Sequence, residues 1–238
     1  MLFLETLAVT LLVVSLLRPL IRKVPWAFYL LCIAFDVVLI ALAAGALPHW
    51  ANLIAIPLLR RGFIAISLFV IVMYIGVFPY GSRIRNYYAP IRAVLSICAC
   101  ILALGHICMY FTAYIPKVLA GNQTVPISVA MIAGLLLLVL LLVLGITSFG
   151  AVRKAMGGAR WLKLQKAAYV FYALIYIHAA CLLLPPALQG GSSAQISIAV
   201  YTLVFGVYAI ARIARGITNK RDKRSAELRQ HELDTQAV

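Results

Sequence analysis

The sequence predicts an all-α integral membrane protein, a bundle of about seven transmembrane helices. Hydrophobic residues make up 65% of the 238-residue chain and charged residues only 11%, and the mean hydropathy is +1.04. A soluble domain of this size could not bury so much apolar surface, whereas a membrane span needs about 20 apolar residues. Helices are expected because backbone polar groups inside lipid must be satisfied within their own segment.

Seven apolar segments mark the predicted spans, and prolines fall at or near their ends. They cover residues 2–17, 26–47, 62–80, 89–115, 127–149, 163–184 and 195–214. The first is short for a span, and we expect it to be retained rather than cleaved as a signal. We divide the chain into an extra N-terminal helix with its basic loop (1–25), a core of six spans (26–214) and a basic cytoplasmic tail (215–238) that extends the last helix.

The basic residues predict the orientation of the chain in the membrane. Eighteen of the 21 lysines and arginines lie in alternate connections and in the tail. This bias places the C-terminus in the cytoplasm and, with seven spans, the N-terminus outside. The net charge of +15 is thereby explained by membrane orientation, and no basic patch with interleaved aromatic residues indicates nucleic-acid binding.

Two histidines, His106 and His178, lie inside apolar spans, where ionisable residues usually have a function or a polar partner. Two neutral imidazoles can bind a haem iron; the alternative is a pair of histidines hydrogen-bonded between helices. They lie about 17 and 15 residues from the predicted cytoplasmic starts of their spans, hence both about 22–26 Å above that face. A planar cofactor held between two helices needs such matched levels, so we predict both as axial ligands. No C-x-x-C-H motif occurs, which excludes covalent haem attachment.

Asp36 falls near the middle of the second span, where a carboxylate must be neutral or paired. It could serve a proton or quinol site, or it could be a protonated acid bonded to a neighbouring helix. The sequence leaves both alternatives open.

The few cations on the predicted outer side are candidates for binding haem propionates. They are Arg60, Arg61 and Lys117, and simple interfacial anchoring is the alternative for each. Tyr110 and Tyr176 are candidates for lining the haem site, although ordinary membrane-core tyrosines would look the same.

Several short motifs occur in an order and spacing that resemble the ferric reductase-like transmembrane domain. They are Leu104-Gly-His-Ile-Cys-Met-Tyr110, Ile146-Thr-Ser148, Arg153-Lys-x-x-Gly157, Trp161-x-x-Leu-Gln165 and the downstream His178. Within this family the chain most resembles the haem-binding membrane subunit of the bacterial methionine-sulfoxide reductase system. The resemblance spans roughly residues 28–214 and leaves 2–17 as an additional leading helix.

The resemblance also implies how many haems to expect. In the family the Trp motif normally ends in histidine, 13 residues before the second histidine of that helix; here Gln165 has that spacing from His178. Two-haem members such as NADPH oxidases carry a further histidine below each upper one, and the position below His106 is Arg92 or Ala93 here. Both inner ligands are therefore absent, which predicts a single haem b in the outer half.

The sequence therefore predicts a membrane b-type cytochrome, an electron-transfer subunit of an oxidoreductase in a bacterial inner membrane. The tail is too short for a flavin or nicotinamide domain, so the expected donor is the quinol pool or a bound flavin such as FMN. The expected partners are membrane lipid and an extracytoplasmic reductase or flavoprotein that receives the electrons. The alternative is a haem-free transporter or scaffold with a polar pathway through Asp36 and the histidines, although the sequence shows no internal repeat.

Overall fold

Helices account for nearly all of the computed structural model, which describes residues 2–43, 46, 61–121 and 124–236. Six of the described helices are long and apolar enough to cross a membrane, and a seventh apolar helix has 13 residues. The predicted all-α membrane bundle is thus confirmed. The orientation of the termini and the division at residues 25 and 214 stay predictions.

Ten α-helices and one 3₁₀ turn follow one another in the described residues. They are α1 (Leu2–Lys23), α2 (Pro25–Ala43), α3 (Phe63–Ile75), α4 (Arg83–Tyr88), the 3₁₀ turn Ala89–Ile91, α5 (Arg92–Leu119), α6 (Val125–Ser148), α7 (Gly150–Met156), α8 (Gly158–Leu164), α9 (Ala167–Leu188) and α10 (Ser192–Gln236).

The first and last helices are longer than the sequence indicated. The helix α1 continues past Pro19, and its 22 residues span about 33 Å, enough for the hydrocarbon core. Within it, Arg18 donates a hydrogen bond to the carbonyl of Tyr87 at 2.7 Å. The expectation that the first span is short is therefore wrong. The 45 residues of α10 extend about 68 Å, so the predicted tail continues the last helix.

Helix α3 is the most enclosed helix of the bundle. Nine of its 13 residues are buried, as expected for a helix that is apolar on every face. It ends before Gly76, earlier than the predicted residue 80, and it packs against both α1 and α5.

Helices α2 and α5 run parallel. Cys32 on α2 contacts Cys98 on α5. Further along both helices, the carboxylate of Asp36 on α2 lies against Gly105 on α5. The two contacts advance in the same direction along both helices, so the chain must reverse through α3 between them.

The two histidine-bearing helices, α5 and α9, both pack on α6. Helix α5 also contacts α2 and α3, and α9 also contacts α10. Over their described lengths, α5 and α9 have hardly any contact with each other. The arrangement therefore holds the two helices side by side through α6 rather than through direct packing.

Candidate functional site

The imidazole of His178 is fixed on α6 by one hydrogen bond. Its Nδ1 lies 2.7 Å from the carbonyl oxygen of Ala130, and a carbonyl can only accept. Nδ1 therefore carries the hydrogen, which leaves the lone pair of the neutral ring on Nε2. A backbone carbonyl bound to one ring nitrogen is the usual way in which a metal-binding histidine has its tautomer and ring orientation set.

A glycine on α6 makes room for this ring. A Cβ added to Gly134 would lie 3.4 Å from Cε1 and 3.5 Å from Nδ1 of His178. Alanine would therefore just touch the ring, and a larger side chain would displace it.

His106 lies on α5 against the residue that precedes α3. Its Nδ1 is 3.3 Å from the position of a Cβ added to Gly62. Gly62 also has φ +67°, a left-handed conformation that favours glycine. Two independent constraints thus select glycine beside this histidine.

An aromatic row continues from His106 toward the end of α5. The ring centroids of His106 and Tyr110 are 4.7 Å apart, and those of Tyr110 and Tyr114 are 5.8 Å apart. These residues recur every four positions and therefore share one face of the helix.

Asp36 approaches α5 one residue before His106. A Cβ added to Gly105 would overlap the Asp36 carboxylate and would lie 2.8 Å from the Asp36 Cβ. The carboxylate thus occupies the space in which any other residue at position 105 would place its side chain. Asp36 and His106 are brought to the same part of the α2–α5 interface.

The remaining predicted site residues have different surroundings. Arg61 is exposed and directly precedes Gly62, so it lies near His106, while Arg60 falls outside the described residues. The Tyr176 hydroxyl lies 2.9 Å from Thr202 Oγ1 on α10. Tyr176 therefore faces α10, whereas His178 faces α6.

His106 and His178 lie at similar distances from the starts of their own helices. His106 is 14 residues after Arg92 and His178 is 11 residues after Ala167, which corresponds to about 21 Å and 17 Å of rise. Since α5 and α9 both run antiparallel to α6, these distances are measured in the same direction.

Gln165, at the position where the resemblance would place an inner haem ligand, instead contacts the end of a neighbouring helix. Gln165 Nε2 lies 3.5 Å from Thr147 Oγ1, and the Trp161 indole nitrogen donates to the Thr147 carbonyl at 3.0 Å. Both side chains tie the end of α8 to the end of α6.

An aromatic cluster fills part of the bundle between α3, α9 and α10. Tyr172 stacks on Phe205 with ring centroids 4.3 Å apart and meets Tyr208 at 4.4 Å. Arg212 donates to the Gly76 carbonyl at 3.0 Å and also bonds the Tyr169 hydroxyl. These contacts couple α10 to the rest of the bundle.

Sequence reasoning missed the three glycines that lie against His106, Asp36 and His178, which are Gly62, Gly105 and Gly134 respectively. Their positions could have indicated close packing, because each glycine lies in or beside an apolar span. The partner of each glycine, however, is on another helix or segment, and the sequence does not say which.

The described residues contain no group of three or more His, Cys, Asp or Glu side chains that could hold a metal ion by themselves. A haem makes a smaller demand, because the porphyrin supplies the equatorial ligands and the protein only the axial ones.

Comparison with known proteins identifies one family to which part of the chain is similar. The family model described as "Ferric reductase like transmembrane component" matches residues 61–176, which include His106 and end two residues before His178. This family comprises membrane electron-transfer components. Residues 61–176 of the chain are therefore similar to the ferric reductase-like transmembrane family.

The chain is also similar to an uncharacterized protein of Treponema pallidum (strain Nichols). The two are 29% identical over 192 residues, which cover 80% of this chain and 53% of the relative. The chain thus spans about half the length of this relative. No solved structure matches the chain.

Proposed function

We propose that the protein is a membrane b-type cytochrome that binds one haem b through His106 and His178. The observation that carries the proposal is the hydrogen bond from His178 Nδ1 to the Ala130 carbonyl, because it leaves Nε2 as a ligand atom with a fixed direction. The similarity of residues 61–176 to the ferric reductase-like family also supports the proposal, since that family suggests membrane electron transfer.

The surroundings of both histidines support the same proposal. Each ring lies against a glycine, Gly62 or Gly134, which lets the backbone approach the imidazole closely. Both of their helices pack on α6, and the two histidines lie at similar distances from the starts of α5 and α9. Arg61, next to Gly62, is a cation suitably close to pair with a propionate.

A bound haem would supply one-electron chemistry, and the role of the protein residues would be to bind and orient it. His106 and His178 would hold the iron. Burial and the bond to Ala130 would tune its potential.

One haem is proposed rather than two because the inner-half positions hold Gln165 and Arg92. The Gln165 amide is engaged with Thr147, and a guanidinium is not an iron ligand. The matching losses at the start of α5 and just before α9 fit the removal of one whole haem site.

We further propose that electrons pass outward from a quinol or a bound flavin to an extracytoplasmic reductase or flavoprotein. The resemblance to the membrane subunit of the methionine-sulfoxide reductase system supports this direction. Such a role places the protein in a bacterial inner membrane, with its N-terminus outside.

A dithionite-reduced minus oxidised spectrum of the purified protein tests the haem proposal. We expect b-type bands in the wild type, with one haem per chain by the pyridine haemochrome assay. His106→Ala and His178→Ala should each remove the low-spin bands, whereas His49→Ala and His231→Ala serve as matched controls and should retain them. A protein without haem bands would refute the proposal, and a ratio near two would refute the single-haem part.

One observation favours a second candidate function, a haem-free polar pathway. The Asp36 carboxylate lies against the residue before His106, which puts two ionisable groups at one place in the bundle. A transporter of this kind would purify without haem after expression with added haem precursor, and its activity would depend on Asp36.

A further inference from the structure

A surface pocket lies where α7 meets α8, away from the histidines. It has a volume of about 400 Å³ and is lined by Arg153, Lys154, Gly157, Gly158, Trp161 and Leu162. Because α6 ends at Ser148 and α9 begins at Ala167, and both are spans, the pocket must lie at a membrane–water boundary. This position holds for either orientation of the chain.

The pocket combines positive charge with an apolar wall. Arg153 and Lys154 are exposed, and the guanidinium carbon of Arg153 lies 5.6 Å from the centre of the Trp161 ring. Leu162 is 61% exposed. A ligand seated here would meet cations on one side and hydrocarbon on the other.

The walls of the pocket are held in place by the ends of the neighbouring helices. Trp161 is fixed by its bond to the Thr147 carbonyl at 3.0 Å. Gly157 has φ +77°, which turns the chain sharply between α7 and α8, and Cβ atoms added to Gly157 or Gly158 would meet nothing within 4 Å. The glycines therefore keep the pocket open.

The charge of this segment is not balanced nearby along the chain. Residues 149–166 contain five lysines and arginines and no aspartate or glutamate. Arg and Lys pair strongly with phosphate oxygens, and basic pockets beside transmembrane helices bind anionic headgroups. Tryptophan, in turn, is favoured at the level of lipid headgroups.

We propose that the α7–α8 pocket is a binding site for the phosphate of an anionic phospholipid. Arg153 and Lys154 bind the phosphate, while Trp161 and Leu162 contact the glycerol and the first carbons of the acyl chains. The shared chemistry is a phosphate group, and the apolar wall at membrane level favours a lipid over a soluble phosphate. The proposal does not depend on haem binding.

Quenching of Trp161 fluorescence tests the site in the full-length protein. Trp26→Phe and Trp50→Phe leave Trp161 as the single tryptophan. The protein is titrated in mixed micelles with phosphatidylglycerol or phosphatidylcholine, each brominated near the top of its acyl chains. We expect phosphatidylglycerol to quench at a mole fraction about thirtyfold lower, as two surface cations would produce.

Three variants keep the test specific for this pocket. Arg153→Gln with Lys154→Gln should abolish the preference, and Arg153→Lys with Lys154→Arg should retain it. Lys220→Gln with Arg221→Gln, an equal loss of charge on α10, should leave the preference unchanged. Equal quenching by the two lipids in the wild type, or equal losses in both Gln pairs, would overturn the proposal.

Two further arms separate lipid from soluble phosphate. Inorganic phosphate or glycerol 3-phosphate at millimolar concentration should leave the quenching curve in place at constant ionic strength. If either ligand removes the preference, the site takes a soluble phosphate and the lipid assignment is wrong.

Discussion

Replacement of Gly105 by alanine is the most direct test of the α2–α5 interface beside His106. The added Cβ would overlap the Asp36 carboxylate. Rotation of the Asp36 side chain cannot relieve this overlap completely, because the Asp36 Cβ itself lies 2.8 Å from the added atom. The two helix backbones must therefore separate.

The expected size of the effect follows from the cost of overpacking. Inserting a methyl group into a filled interface destabilises by about 1–3 kcal/mol. At about 2–4 °C per kcal/mol for a chain of this length, Gly105→Ala should lower the thermal midpoint by about 2–12 °C. If the displaced α5 also moves His106, haem occupancy should fall with it.

Gly206→Ala is the matched control, because a Cβ added to Gly206 in α10 meets nothing within 4 Å. It should leave stability unchanged or slightly improved, since alanine is favoured over glycine in helices. The assay is the unfolding midpoint in detergent, followed in parallel with haem content.

A double-mutant cycle with Asp36→Ala decides whether the carboxylate is the cause. Removing the side chain beyond Cβ frees most of the overlapped space, so the double variant should be more stable than the sum of the single effects predicts. Additive losses would show that Asp36 and position 105 are not in contact and would refute the placement of Asp36 beside His106.

Three further substitutions test the rest of the site. Gly134→Ala should keep haem bands near wild type because its Cβ would be 3.4 Å from the His178 ring, whereas Gly134→Val should shift or remove them; equal spectra for the two would contradict the packing. Gly62→Ala should destabilise by about 1–2 kcal/mol because of its left-handed backbone, measured as a lower unfolding midpoint, and no change would mean that the backbone relaxes freely there. Gln165→His should leave the ratio of haem to protein near one, because Arg92 still occupies the other predicted inner-ligand position. A ratio near two would show that Gln165 alone accounts for the missing second haem.

Hydropathy was sufficient to predict the membrane class, the all-helical fold and the approximate order of the spans. These are properties of windows of about 20 residues, and they require no knowledge of neighbours. Helix ends were less predictable. Arg18 and Pro19 suggested an early end to the first span, but an arginine can bond to a neighbouring helix, as Arg18 does with the Tyr87 carbonyl, and the helix continues.

The sequence by itself determined that His106 and His178 lie within long apolar helices, because hydropathy is a property of each segment alone. That the two lie at matched levels stays a prediction. Only the tertiary structure decided that His178 bonds the Ala130 carbonyl, that Asp36 fills the space at Gly105, and that Tyr176 faces α10. The physical reason is that these contacts depend on the rotation and pairing of helices. Rotation and pairing are set by close packing summed over the whole bundle, and no single segment of the sequence contains that information.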